Sequence, residues 1–107
     1  MLKFRLLDKI VKIIPDVEYC FATNKITIEG MKVGYMYREI PDRDSDSGWR
    51  FFSGTESQDY VDNPENLKIY DVNTIANYDP DIIPYLDSDY GAEYERLQDS
   101  HFFKMID

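Results

Sequence analysis

The sequence predicts an α+β fold: a single small domain on a mainly antiparallel sheet of about five or six strands, with an N-terminal helix and short helices. Three observations predict it. A chain of 107 residues is one domain on size alone. Short runs rich in aromatic and β-branched residues alternate with turn residues. No βαβ rhythm, internal repeat or linker breaks the pattern.

Residues 2–14 read as an amphipathic helix. Leu2, Leu6, Ile10 and Ile13 form a stripe that Leu7, Val11 and Ile14 widen, while Lys3, Arg5, Lys9 and Lys12 lie mostly elsewhere. Pro15 stops it. Residues 1–16 are thus an N-terminal extension, and 17–107 are the domain proper. A basic, apolar helix suits a membrane or a partner, but covering the flank of its own sheet is the favoured role.

Val17 to Ala22 and Lys25 to Glu29 read as strands around a Thr23-Asn24 turn, with Ile26 and Ile28 sharing a face. Lys32 to Glu39 is a third strand. Val33, Tyr35 and Tyr37 fall on one face and Gly34, Met36 and Arg38 on the other, until Pro41 ends it. Asp42 to Ser47 is an acidic loop, and Trp49 to Ser53 is a fourth strand of large aromatics. Thr55 is a candidate N-cap for one or two helical turns over Glu56 to Val61. After a turn at Asn63 to Asn66, Leu67 to Val72 is a fifth strand. Asn73 or Thr74 caps a short helix through Tyr78. Asp79-Pro80 opens another, with Asp as N-cap and Pro at the first helical position, and Pro84 curtails it. Gly91 to Leu97 reads as a helical turn or a strand start, and His101 to Met105 closes the sheet. Trp49 and Phe51 are expected in the core, and some of Tyr60, Tyr78, Tyr85 and Tyr90 at the surface.

The net charge is −9, and because residues 1–14 carry +3 the rest of the chain carries −12. Such a body repels phosphate backbones and anionic lipid, which argues against nucleic acid and membrane as partners. It attracts a basic protein. Taken alone, the charge favours the plainer reading of solubility. Cys20 is the only cysteine, so no intrachain disulfide forms and a reducing compartment fits. With neither a membrane-length apolar run nor a signal-peptide pattern, cytoplasmic residence is the expectation.

Catalytic signatures are missing. No GxGxxG, GxxxxGK[ST], GxSxG, HExxH or CxxC occurs. Cys20 and His101 are unrelated singletons, and Cys20 in its apolar context reads as a core residue. Asp42, Asp44 and Asp46 have the alternate spacing of a calcium loop, but Ser47 and Ser53 stand where such a loop needs Gly and Glu. The pairs Asp87/Asp89 and Glu93/Glu95 read as solvated charge. No cofactor or metal is expected, and an enzyme, such as a metal-assisted hydrolase using Asp42, Asp44, Asp46 or Glu56, is the minority reading.

VGYMYRE (33–39), DSGWRFFSGTES (46–57), YVDNPENLKIYDVNTIANYDPDIIPYLDS (60–88) and GAEYER (91–96) resemble, in order, the blocks of a bacterial family of unknown function grouped with the immunity proteins of polymorphic toxin systems. The likeness runs from about Cys20 to Phe103 and leaves the N-terminal helix outside. It implies a cytosolic α+β protein that neutralises a cognate toxin by binding it, without catalysis. Recognition is then expected from the acidic loop Asp42, Asp44, Asp46 together with Asp87, Asp89 and Glu93, with Arg50, Glu56 and Tyr60 at the rim, against a basic toxin surface. The alternative is a non-catalytic domain that binds a small ligand or another protein.

Overall fold

The computed structural model describes residues 12–13 and 18–106, and the predicted N-terminal helix lies outside them. In chain order the elements are β1 (Tyr19–Thr23), α1 (Asn24–Thr27), β2 (Tyr35–Arg38), β3 (Asp46–Phe52), α2 (Gln58–Asp62), a 3-10 turn (Pro64–Asn66), β4 (Leu67–Asp71), α3 (Val72–Tyr78), a 3-10 helix (Pro80–Tyr85), β5 (Glu93–Arg96) and β6 (Phe103–Met105). The strands form one six-stranded sheet in the order β4-β1-β3-β2-β5-β6. The fold is α+β and the sheet mostly antiparallel, as the sequence predicts.

One pairing departs from that pattern: β1 runs parallel to β3. Its other neighbour is β4, antiparallel, so β1 occupies an inner slot with both edges filled. No edge of β1 is left for a hairpin partner. The predicted strand Lys25 to Glu29 is instead the single helical turn α1, which buries Ile26 and Thr27 and leaves Ile28 exposed. Thr23, expected in a turn, ends β1.

Alternation along the strands divides the sheet into two faces. Cys20, Ala22, Met36, Trp49, Phe51, Tyr94 and Phe103 point to one, where Val72, Ile75 and Ala76 of α3 and Ile82 of the 3-10 helix cover them. Trp49 and Phe51 are buried and stacked at 5.9 Å, as expected. Tyr35 and Tyr37 lie on the opposite face with Phe52, at ring separations of 5.7–5.9 Å. Val33, predicted to share their face, lies before the start of β2 and belongs to the core. Of the tyrosines expected at the surface, Tyr90 is exposed, while Tyr60, Tyr78 and Tyr85 are half-buried.

The caps follow local chemistry. Ser57, not Thr55, caps α2, its hydroxyl accepting from the Tyr60 amide. Asp71 stands at the N-cap of α3 in place of Asn73 or Thr74. Asp79 caps the Pro80–Tyr85 helix as predicted, accepting from the Asp81 amide. Its other oxygen accepts from the Val33 amide at 2.9 Å and from the Arg96 guanidinium at 2.6 Å. This buried carboxylate joins the 3-10 helix, β5 and the approach to β2.

A candidate partner-binding surface at one end of the sheet

The site is built around an irregularity in β3. Asp46, Gly48 and Arg50 alternate onto the face that carries Tyr35 and Tyr37. Against β1 the register moves from Tyr19↔Asp46 to Phe21↔Arg50, so β3 holds two extra residues in a bulge. Gly48 lies within it at a φ of +89°, and a Cβ there would sit 2.1 Å from the Glu39 carbonyl oxygen. Only glycine leaves room for this approach. The Glu39 amide in turn donates to the Gly48 carbonyl at 2.9 Å.

Arg50 is buried and clamped. Nη1 and Nη2 donate to the two oxygens of Asp46 at 2.9 Å each, and Nε donates to Glu39 at 2.7 Å. Its guanidinium also lies over the Phe21 ring, 4.7 Å from the centroid. A bidentate pair of this kind is both strong and geometrically specific. The Arg50 guanidinium holds the Asp46 carboxyl below the usual carboxylate range. Both partners are therefore charged at neutral pH.

This clamp marks the end of the sheet where β1, β3 and β5 begin and β2 and β4 finish. Exposed Asp42 and Asp44 lie beside it in the loop before β3. That loop is tied down by hydrogen bonds from Asp46 N to the Arg43 carbonyl and from Tyr19 N to the Ser45 carbonyl. Exposed Asp87 and Asp89 flank Ser88 on the loop before β5. The Ser88 carbonyl accepts from Arg38 at 2.8 Å, which holds this loop to the end of β2. Glu93 opens β5 opposite Tyr37 and accepts from the Tyr35 hydroxyl at 2.5 Å.

Two depressions share Glu39 and Ile40 as a common ridge. One of about 530 Å³ is floored by Tyr35 and Tyr37 and walled by Tyr90 and Glu93. The other, about 840 Å³, lies between Tyr19, Ile69 and the loop carrying Asp42, Asp44 and Asp46.

The structure thus gathers Asp42, Asp44, Asp46, Asp87, Asp89 and Glu93 at one end of the sheet. Arg50 lies there too, but beneath the surface and not at a rim, since only 7% of it is exposed. Glu56 and Tyr60 are elsewhere, beyond the opposite end of β3. Glu56 organises a turn, its carboxylate accepting from Thr23 Oγ1 and from the Ser53 and Gly54 amides at 2.6–2.9 Å. Burial pushes its carboxyl up, but these donors outweigh it and the net shift is downward. Tyr60 carries the Lys25 ammonium over its ring at 5.0 Å.

Sequence reasoning nominated acids and aromatics and missed Ile40, which is 75% exposed, and Ile69, at 55%. The signal for Ile40 was its place between a strand and Pro41, where backbone is extended and no neighbouring strand is due. Among the described residues no group of His, Cys, Asp or Glu is arranged to hold a metal ion. His101 contacts Asp81 and not Cys20, which is buried in β1 with its thiol pushed up by desolvation. No helix among the described residues is long and apolar enough to cross a membrane.

The geometry is that of a mostly antiparallel α+β domain with an open, carboxylate-rich sheet end. The chain matches the Immunity protein Imm33 domain over residues 20–106 and belongs to that family. Neither a curated protein nor a solved structure matches it.

Proposed function

We propose that this chain neutralises a cognate polymorphic toxin in the cytoplasm by binding it stoichiometrically, without turnover, and that it occludes a basic surface of that toxin. The observation that carries the reading is the convergence of Asp42, Asp44, Asp46, Asp87, Asp89 and Glu93, from two separate loops and the strand starts that follow them, on one end of the sheet. Apolar residues, Tyr19, Ile40, Ile69 and Tyr90, are exposed among them. An apolar patch within a polar, charged rim is the anatomy of a protein interface. Carboxylates in the rim accelerate encounter with a basic partner and select against acidic ones.

Co-expression with each toxin domain encoded beside the gene tests this. Growth rescue with a one-to-one complex is the expected result. No rescue and no complex with any neighbour would refute it.

A second reading, a small-ligand-binding domain, has one observation in its favour: the 840 Å³ depression falls within the size range of ligand sites. A ligand that raises the melting temperature at saturating concentration, with no toxin bound under the same conditions, would select it.

A further inference from the structure

We infer that Ile40 is the apolar anchor of this surface, and that the toxin answers it with an apolar pocket bordered by lysine or arginine. The inference rests on the toxin-binding reading and names the partner chemistry it requires.

Ile40 is the most exposed of the large hydrophobic residues among those described, at 75%. It stands on the ridge between the two depressions, so both of its flanks are open to an incoming surface. It is also held in place. On one side Glu39 is fixed twice, by its backbone to Gly48 and by its side chain to Arg50. On the other, Pro41 restricts the backbone, and the loop it begins is closed by the Asp46 and Tyr19 amides. A knob on a braced backbone loses little conformational freedom when it binds, so more of its burial appears as affinity. Such side chains at the centre of a patch, ringed by polar groups that exclude water, are where binding energy concentrates.

The surrounding charge selects the occupant. Glu39, Asp42, Asp44 and Glu93 line the two depressions on either side of the knob. Of the arginines there, Arg50 is consumed by Asp46 and Glu39 and Arg38 by backbone carbonyls, which leaves exposed Arg43 against four carboxylates. A purely apolar partner would desolvate these carboxylates without compensation. A pocket edged with lysine or arginine pairs them instead.

The test measures binding kinetics of the purified chain with the toxin domain that it protects against, as wild type, Ile40→Ala and Phe102→Ala. Phe102 is 66% exposed just before β6, at the far edge of the sheet, and serves as a matched control. Ile40→Ala is expected to speed dissociation about thirtyfold, with unchanged melting temperature, while Phe102→Ala leaves binding unaltered. An Ile40→Ala complex as long-lived as wild type overturns the inference and leaves the toxin-binding reading standing. Wild type that binds no toxin domain removes both. A wild-type chain that dimerises alone, and that Ile40→Ala returns to monomer, overturns the inference by assigning Ile40 to a second copy of this chain.

Discussion

Replacing Asp79 with alanine removes several interactions at once, and their loss can be estimated from the structure. Asp79 is 1% exposed and accepts from the Asp81 amide, the Val33 amide and Arg96. Loss of the helix cap costs about 1 kcal/mol. Orphaning the buried Val33 amide costs about 1–3 kcal/mol. Breaking a buried ion pair costs about 3–5 kcal/mol when the remaining charge has no other partner. Arg96 does keep others: Asp81 at 2.8 Å and the carbonyls of Val33 and Ser100. The ion-pair cost is therefore cut well below its range, and since the losses share partners they are not additive. A total of about 4 kcal/mol follows, a large part of the roughly 5–15 kcal/mol available to a domain. At about 4 °C per kcal/mol the melting temperature falls by about 15 °C. Asp79→Asn keeps an acceptor for only one of the two amides, because they bond to different oxygens, and turns its NH2 toward the other, so it should be destabilised as well. Urea unfolding followed by Trp49 fluorescence measures both. An alanine variant within about 1 kcal/mol of wild type would refute the assignment of Asp79 as a buried node.

Three further outcomes are expected. Asp46, Glu56 and Asp81 have carboxyls lowered in the folded state, by Arg50, by hydroxyl and amide donors, and by Arg96 with His101 respectively. Their stabilisation is complete above the ordinary carboxylate pKa and is lost as pH falls through the lowered folded values. Urea midpoints should therefore drop below about pH 4, and Glu56→Gln should show a shallower drop than wild type. Cys20, buried with its thiol pushed up, should resist alkylation in the native protein and react once unfolded, as mass spectrometry after iodoacetamide would report. Gly48→Ala places a methyl group against the Glu39 carbonyl at a positive φ and should lower stability by more than about 1 kcal/mol. It should also weaken toxin binding by moving the Glu39–Ile40 ridge, which denaturant titration and a binding assay separate.

Legibility in the sequence followed the range of the forces involved. Local chemistry was readable: Asp79-Pro80 as a helix start, the Trp49 run as a buried strand, and the Leu67 strand all stand where the residues place them. Non-local placement was not. Lys25 to Glu29 alternates like a strand, yet the inner position of β1 leaves it no sheet edge, so it coils into α1. The β1–β3 parallel pair has no local signature at all. At the candidate site the acids of Asp42 to Asp46 and Asp87 to Glu93 could be nominated, because charge is visible in composition. Arg50 was read as a rim residue because sequence does not reveal that a bulge at Gly48 lets it turn back onto Asp46. Ile40 was missed because an exposed isoleucine looks, in sequence, like any core residue.

The inner position of β1 has a consequence for synthesis on the ribosome. Residues 19–23 leave the exit tunnel before both strands that flank them, residues 46–52 and 67–71. Until then an apolar segment, Tyr-Cys-Phe-Ala-Thr, has neither of its neighbours. Pairing at such sequence separation is slow to form and leaves the early strand open to misassociation. Capture of the first strand therefore waits for residues 46–71, and whatever shields that strand while they are translated would favour correct folding of the chain.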